Sequence, residues 1–185
     1  MNTDSERPAS RKSEMHAGRR KIRAESLARD AFAPFGDVID DTGPTRFPTN
    51  GGDAMRIHQL AIADCAAERG RTLLSLFRVA RPTFHDPLRL MERHPISSQA
   101  FVPLGHMRFI AVVAEASKDP QVTNLRAFIS NGRQGVNYRR ATWHHPLITL
   151  DAGDFLVVDR AAPGVEFIQD YEEVVLTDEV SVILP

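Results

Sequence analysis

Short apolar runs rich in β-branched residues fill most of the chain after residue 70. Turn signals such as Asn131-Gly132 and Asp151-Ala152-Gly153 separate most of these runs. Many short runs at this spacing are typical of a β-sandwich or barrel and not of alternating strand–helix units. The pattern predicts strands at Thr72–Val79, Gln99–Leu104, Phe109–Val113, Leu125–Ser130, Leu147–Leu150, Phe155–Val158 and Val180–Leu184.

The N-terminal part of the chain has a different pattern. Apolar residues recur at helical spacing within Ser26–Phe35, where Ser26 can cap the start of a helix and Gly36 can end it. Residues 1–23 carry seven Lys/Arg against three acidic residues, and large apolar residues are almost absent from them. We therefore predict a disordered basic extension over residues 1–22, and a single mainly β domain with few helices over residues 23–185.

The overall composition narrows the class of protein. A net charge of −1 argues against a dedicated nucleic-acid binder, and the single cysteine excludes both a disulfide framework and a Cys-rich zinc site. Apolar runs long enough to cross a membrane and the apolar core of a secretory signal are both absent from the sequence. We expect a cytoplasmic protein that binds neither nucleic acid nor membrane.

The residues with chemical potential fall into two groups. Glu92 and His94 are two positions apart, so on a strand they face the same way, and Gln99 begins the next apolar run. His144 and His145 follow from a distant strand, and only one of them is expected to enter a shared cavity. A carboxylate and two imidazoles facing one cavity are a plausible ligand set for a first-row transition metal.

This spacing resembles the two-part metal pattern of cupins. That pattern has His-x-His, a carboxylate about five residues on, and a later His. Here Glu92 stands at the first His position and Gln99 at the acidic position, so one imidazole remains in the first part.

A more specific resemblance extends over nearly the whole chain from about Lys21. Its clearest segments are Glu-Arg-His-Pro at 92–95, Gly-Val-Asn-Tyr at 135–138 and Trp-His-His-Pro at 143–146. In order and spacing they are similar to those of the ureidoglycolate lyases of allantoin degradation, in purine and nitrogen metabolism. The resemblance implies a cupin-like (jelly-roll) β-barrel, a homodimer, and cleavage of ureidoglycolate to glyoxylate and urea. It also implies an association with nickel or another divalent metal.

That reaction requires a base for the substrate hydroxyl, an acid for the leaving urea nitrogen, and a group that holds the carboxylate. We assign His94 and His144 as base or metal ligands because imidazole titrates near neutrality, with Glu92 as the third ligand. Tyr138 is the candidate acid or hydrogen-bond donor. The candidate substrate-binding residues are Gln99, Asn137, His145 and Arg78, whose guanidinium can clamp a carboxylate.

Two other functions remain open on the sequence alone. One is another metal-dependent cupin enzyme that acts on a small carboxylic acid. The other is a non-catalytic cupin that binds a small acid, in which the basic extension would contact nucleic acid.

Overall fold

A computed structural model describes residues 19–117, 124–162 and 170–185, and strands form most of it. The one α-helix in these ranges, α1, spans only Arg29–Phe32, and 3₁₀ turns lie at Asn50–Gly52 and Ala67–Arg69. None of the described helices is long and apolar enough to cross a membrane. The strands are β1 Arg19–Ser26, β2 Gly36–Ile39, β3 Arg46–Thr49, β4 Ala54–Ile57, β5 Arg71–Val79, β6 Leu88–Arg93, β7 Gln99–Pro103, β8 Phe109–Ala114, β9 Arg126–Ile129, β10 Gly135–Tyr138, β11 Trp143–His144, β12 Ile148–Thr149, β13 Gly153–Ala161 and β14 Glu172–Ile183.

Six strands close into a barrel. They are paired in the order β11-β6-β14-β1-β9-β8, and β11 pairs back onto β8 to complete the ring. A second sheet has the order β2-β10-β7-β13-β5, while β3 and β4 form a separate hairpin. The predicted mainly β fold with a barrel and few helices is confirmed, and each of the seven predicted strands overlaps an observed one.

Two apolar clusters divide the interior because successive strand residues face opposite sides. On β8, Ile110, Val112 and Ala114 belong to a cluster drawn from the barrel strands and β12. The alternate residues of β8 join a second cluster with residues of the five-stranded sheet, such as Phe101 and Phe155. The first cluster therefore fills the barrel, and the second packs the five-stranded sheet against the outside of the barrel.

The predicted disorder is wrong for residues 19–22. These residues form the first half of β1, where Ile22 pairs in parallel with Val182 of β14. Only Ile22 and Ala24 of this strand are buried, so its local composition looks like that of a solvated tail. Its backbone pairs with β14 and β9, which come from distant parts of the chain. Residues 1–18 lie outside the described residues.

The predicted helix at Ser26–Phe35 is wrong over most of its length. Ser26 is the last residue of β1, and α1 begins after Ala28, whose methyl group cannot cap a helix. The apolar spacing that predicted a helix instead places Leu27, Phe32 and Phe35 in the second cluster around a single turn. Gly36 then starts β2 at φ +156°, where a Cβ atom would lie 2.0 Å from the carbonyl oxygen of Asn137.

Candidate active site

Two strands of the barrel bring the predicted site residues together. In the pairing of β6 with β11, Glu92 lies opposite His144, and His94 follows directly after the end of β6. One ligand atom from each of these three residues lies within 4.8 Å of the others. The imidazole rings of His94 and His144 have centroids 5.6 Å apart. Glu92, His94 and one of the paired histidines, His144, are therefore close enough together to hold one metal ion.

These residues adjoin a small cavity between the barrel and the five-stranded sheet. Its volume is about 330 Å³, near the lower end of the roughly 300–1,000 Å³ typical of ligand sites. A larger hollow of about 620 Å³ lies beside residues 56–61, but its lining offers one imidazole, His58, and no carboxylate. The smaller cavity is therefore the better site for chemistry. Its lining residues are Phe77, Glu92, His94, Gln99, Phe101, Pro146, Leu147 and Tyr171.

Backbone carbonyl groups set the tautomers of both imidazoles. The Nδ1 of His94 is hydrogen-bonded to the carbonyl oxygen of Asp170, and the Nδ1 of His144 lies 3.0 Å from that of Thr142. Because a carbonyl oxygen only accepts hydrogen bonds, each Nδ1 carries the proton, and each Nε2 of a neutral ring is an acceptor. The Nε2 of His94 is buried, with no hydrogen-bond partner among the described residues.

Three acceptors then meet at one point. The Nε2 of His144 lies 3.3 Å from Oε1 of Glu92 and 3.3 Å from Oε1 of Gln99. If the Gln99 amide turned over, its N–H could donate to His144, but the Glu92 carboxylate would still face an acceptor. A cation or an additional proton between these atoms removes the repulsion, so the arrangement favours a positively charged species at this point.

The pKa values of Glu92 and His94 are also shifted toward the forms that bind a cation. Burial alone raises the pKa of Glu92, but a protonated His144, through its hydrogen bond and its charge, outweighs burial with a contribution from His94 and holds that pKa below its usual value. Burial, followed by the neighbouring His144, lowers the pKa of His94. The site therefore favours an ionised carboxylate beside a neutral imidazole, the forms that bind a metal or accept a proton.

The three side chains fit a divalent metal ion in donor type and nearly in distance. Imidazole nitrogen with carboxylate oxygen suits metals such as nickel and zinc. Atoms bound to one ion at about 2.1 Å lie at most about 4.2 Å apart, so a separation within 4.8 Å requires only a small contraction. The described residues that line the cavity include no lysine or arginine, which leaves the imidazoles or a bound cation to hold an anionic ligand.

The predicted substrate-binding residues other than Gln99 do not line this cavity. Arg78 forms a two-point ion pair with Asp154, at 3.0 and 3.1 Å, and its side chain is 73% exposed. The Asn137 amide donates to the Asp37 carboxylate and to a backbone carbonyl, on the face of β10 opposite Tyr138. Nδ1 of His145 is hydrogen-bonded to the carbonyl of its own neighbour, Pro146.

Tyr138 supports the site from the second cluster. Its ring is stacked on His144 at a centroid distance of 4.2 Å and an interplanar angle of 14°. Burial, helped by the negative charge of Glu92, raises its pKa. Its hydroxyl therefore keeps its proton, and Tyr138 itself does not line the cavity.

The sequence analysis missed several residues around the cavity. Tyr171 lines it with a ring 6.2 Å from that of His94, Asp170 bonds to His94, and Phe77 forms part of the wall. One sequence signal points to Tyr171, since the chain has only two tyrosines and the other is Tyr138. No local pattern identifies Asp170, because its contact with His94 spans 76 positions.

Comparison with known proteins identifies the family of this chain. The sequence model of the ureidoglycolate lyase family matches residues 19–183, which begin where β1 begins. The ureidoglycolate lyase of Pseudomonas fluorescens is 45% identical over 146 residues, covering 78% of this chain and 87% of that protein. That of Burkholderia mallei is 50% identical over 141 residues, covering 76% and 82%. That of Pseudomonas putida is 43% identical over 166 residues, covering 89% and 97%. The chain belongs to the ureidoglycolate lyase family.

Proposed function

We propose that this protein is a lyase that splits ureidoglycolate into glyoxylate and urea, a step in the degradation of allantoin. The observation that supports it most is the meeting of Glu92, His94 and His144 at a small cavity in a chain of this family. Ureidoglycolate is compact and carries a carboxylate, a hydroxyl and a ureido group on one carbon. A small cavity with imidazole, carboxylate and amide groups has a partner for each of these.

The proposed chemistry needs one proton to be moved. A neutral imidazole, for which we propose His94, takes the hydroxyl proton at its unpartnered Nε2 as the carbonyl group of glyoxylate forms. The C–N bond breaks, its electron pair goes to the nitrogen, and that nitrogen gains a proton. The imidazolium formed in the first transfer can supply this proton, so the reaction has no net demand for acid or base.

The remaining groups hold the substrate. The amide of Gln99 lies within the cavity, where it can hydrogen-bond the ureido group, and the rings of Phe77 and Phe101 exclude water from one side. One nitrogen lone pair cannot bind a metal and a proton together, so the second proposal for this site is an alternative to the base role of His94: Glu92, His94 and His144 would hold a divalent cation, with nickel as the first candidate. A cation held there would polarise the carboxylate and hydroxyl of the substrate and lower the hydroxyl pKa.

The test is to incubate the purified protein with racemic ureidoglycolate and measure urea, glyoxylate and ammonia. We expect urea and glyoxylate in equal amounts, from about half of the racemate if one enantiomer is used. A chelator should reduce the rate, and added Ni²⁺ should restore it. Absence of both products overturns the lyase proposal, and ammonia in place of urea indicates hydrolysis of the ureido group. A rate unchanged by the chelator overturns only the proposed cation.

We also propose that the protein forms a homodimer through β5. This nine-residue strand is at the edge of its sheet, with no second neighbour among the described strands, and it leaves Leu74 and Leu76 72% and 51% exposed. A long apolar edge strand is a ready site for pairing with another chain. A second copy is the simplest occupant, because two β5 strands can pair antiparallel about a two-fold axis.

Light scattering after size-exclusion chromatography tests this interface. We expect the native chain to have the mass of a dimer, and Leu74→Glu combined with Leu76→Glu to have that of a monomer. Met55→Glu is the matched control, since Met55 is 60% exposed on the separate β3–β4 hairpin. A native monomer at micromolar concentration contradicts the proposal, as does a dimer that survives both glutamates.

A further inference from the structure

Asp170 holds the segment that carries His94 at two points. Its backbone carbonyl accepts the hydrogen bond from Nδ1 of His94, and its side-chain Oδ1 accepts one from the backbone N–H of Ile96 at 2.9 Å. Asp170 is only 3% exposed and lies just before β14. A single buried residue therefore binds both sides of Pro95, 74 and 76 positions away in the chain.

The two contacts have different consequences. The bond to the carbonyl determines which nitrogen of His94 carries the proton, and any residue at position 170 could supply that carbonyl. The bond to Ile96 requires a side-chain acceptor. Because Pro95 has no N–H, the N–H of Ile96 is the first backbone donor after His94 that can anchor this turn. The Asp170 side chain thus keeps its own carbonyl opposite the imidazole.

The effect of these two contacts on His94 is found at its other ring nitrogen, Nε2. With Nδ1 as the donor, Nε2 of His94 is buried as a free acceptor, and a ring nitrogen of His94 lies within 4.8 Å of ligand atoms of Glu92 and His144. The opposite tautomer would place a hydrogen on the nitrogen that must bind a cation or accept a proton. Tyr171 follows Asp170 directly and lines the cavity, so the same contacts also locate its ring, 6.2 Å from that of His94.

We infer that Asp170 is a positioning residue: by anchoring Ile96 it holds His94 in the Nδ1–H tautomer with Nε2 presented to the cavity. The inference rests on the proposed role of His94, although the tautomer can be measured without any assay of activity. Asp170 touches no reacting atom in this scheme and acts only through His94. Outer groups that orient a ligating histidine typically change metal affinity or activity by about 10–100-fold when removed.

The experiment compares three variants of the full-length protein labelled with ¹⁵N-histidine. Asp170→Ala removes the acceptor for Ile96, Asp170→Asn keeps an oxygen there without the charge, and Asp178→Ala is a control farther along β14. Long-range ¹H–¹⁵N spectra report the tautomer of each imidazole, and a His94→Gln spectrum assigns the His94 signals. Calorimetric titration with Ni²⁺ and urea release are measured on the same samples.

We expect His94 to be the Nδ1–H tautomer in the native protein and in both the Asp170→Asn and the Asp178→Ala variants. In Asp170→Ala we expect a mixture of tautomers, Ni²⁺ affinity lower by about 10–100-fold and a similar loss of kcat. A pure Nδ1–H signal with native Ni²⁺ affinity in folded Asp170→Ala overturns the inference. If that variant does not fold, Asp170→Asn decides, since a folded Asp170→Asn that has lost the Nδ1–H tautomer also overturns it. If the tautomers behave as expected but the native protein releases no urea, the proposed function fails and the positioning role stands.

Discussion

The inside of the barrel and the space between the barrel and the five-stranded sheet share the same strands but differ in chemistry. Met91 and Trp143 point into the barrel, where the buried cluster consists of apolar side chains. Their immediate neighbours Glu92 and His144 point outward, into the space that contains the cavity. At its other end this space is filled by the second cluster, including Phe109 and Phe155.

The difference shows how a small fold separates stability from reactivity. Because side chains alternate along a strand, β6 and β11 each supply one residue to a dry core and the next to a polar site. Polar groups inside the barrel would lack partners, and such groups are costly to bury. On the outer face, Nε2 of His144 lies 3.3 Å from both Glu92 and Gln99, so one cation or proton there can serve all three groups. Substitutions on the two faces of these strands should therefore have separable effects.

The largest effect is expected at the polar site. His94→Ala should reduce the turnover of ureidoglycolate by a hundredfold or more, because a positioned acid–base group contributes about 10²–10⁴-fold. Circular dichroism should show an unchanged fold. His85→Ala, at an exposed histidine, serves as the control and should retain native turnover. Near-native turnover in His94→Ala would contradict the proposed role of this residue.

Inside the barrel, we expect a substitution to lower stability and to leave turnover nearly unchanged. Met91 is fully buried, so Met91→Ala should lower the free energy of unfolding by about 2–5 kcal/mol through lost burial and a residual cavity. The kcat of the folded fraction should change little. Urea denaturation measures the stability, with exposed Met55→Ala as the reference. A loss of kcat as large as that of His94→Ala would show that the two faces are not separable.

A smaller effect is expected where the two regions meet. Tyr138 belongs to the second cluster, and its ring is stacked on His144, but it does not line the cavity. Tyr138→Phe keeps the ring and should retain kcat within a few-fold, whereas Tyr138→Ala should lose both kcat and stability. A hundredfold loss in Tyr138→Phe would instead assign the hydroxyl as the acid for the leaving nitrogen.

The smallest effect is expected at the surface, outside both regions. Hydrogen bonds from Arg108 hold the pKa of Asp151 at about 2, below its ordinary value near 3.8. The stabilisation from this pair is complete above about pH 4 and is lost as the pH falls toward 2. Asp151→Asn should therefore lower the Tm at pH 7 by at most about 2 °C, since exposed pairs contribute little. Scanning calorimetry should show the difference narrowing in acid; a gap that widens below pH 4 would contradict the shift.

The fold was predictable where the local pattern carried the signal. The runs at Phe109–Val113 and Gln99–Leu104 are strongly apolar, and both are strands. The two-residue strand β11 and the largely exposed β3–β4 hairpin have no such pattern, and the sequence did not predict them. β1 is a strand because β14 and β9 flank it, although its own residues are mostly basic and exposed.

By itself, the sequence determined the β class and the candidate chemistry. The two-residue period of a strand predicted that Glu92 and His94 share a face and that only one of His144 and His145 joins them. Tertiary structure decided which histidine it was, because the choice depends on the pairing of β11 with β6, 52 positions away. It likewise decided that Arg78 pairs with Asp154 outside the cavity and that Asp170 holds His94. Local periodicity gives the direction of a side chain, whereas a partner far along the chain is fixed only when the sheets close.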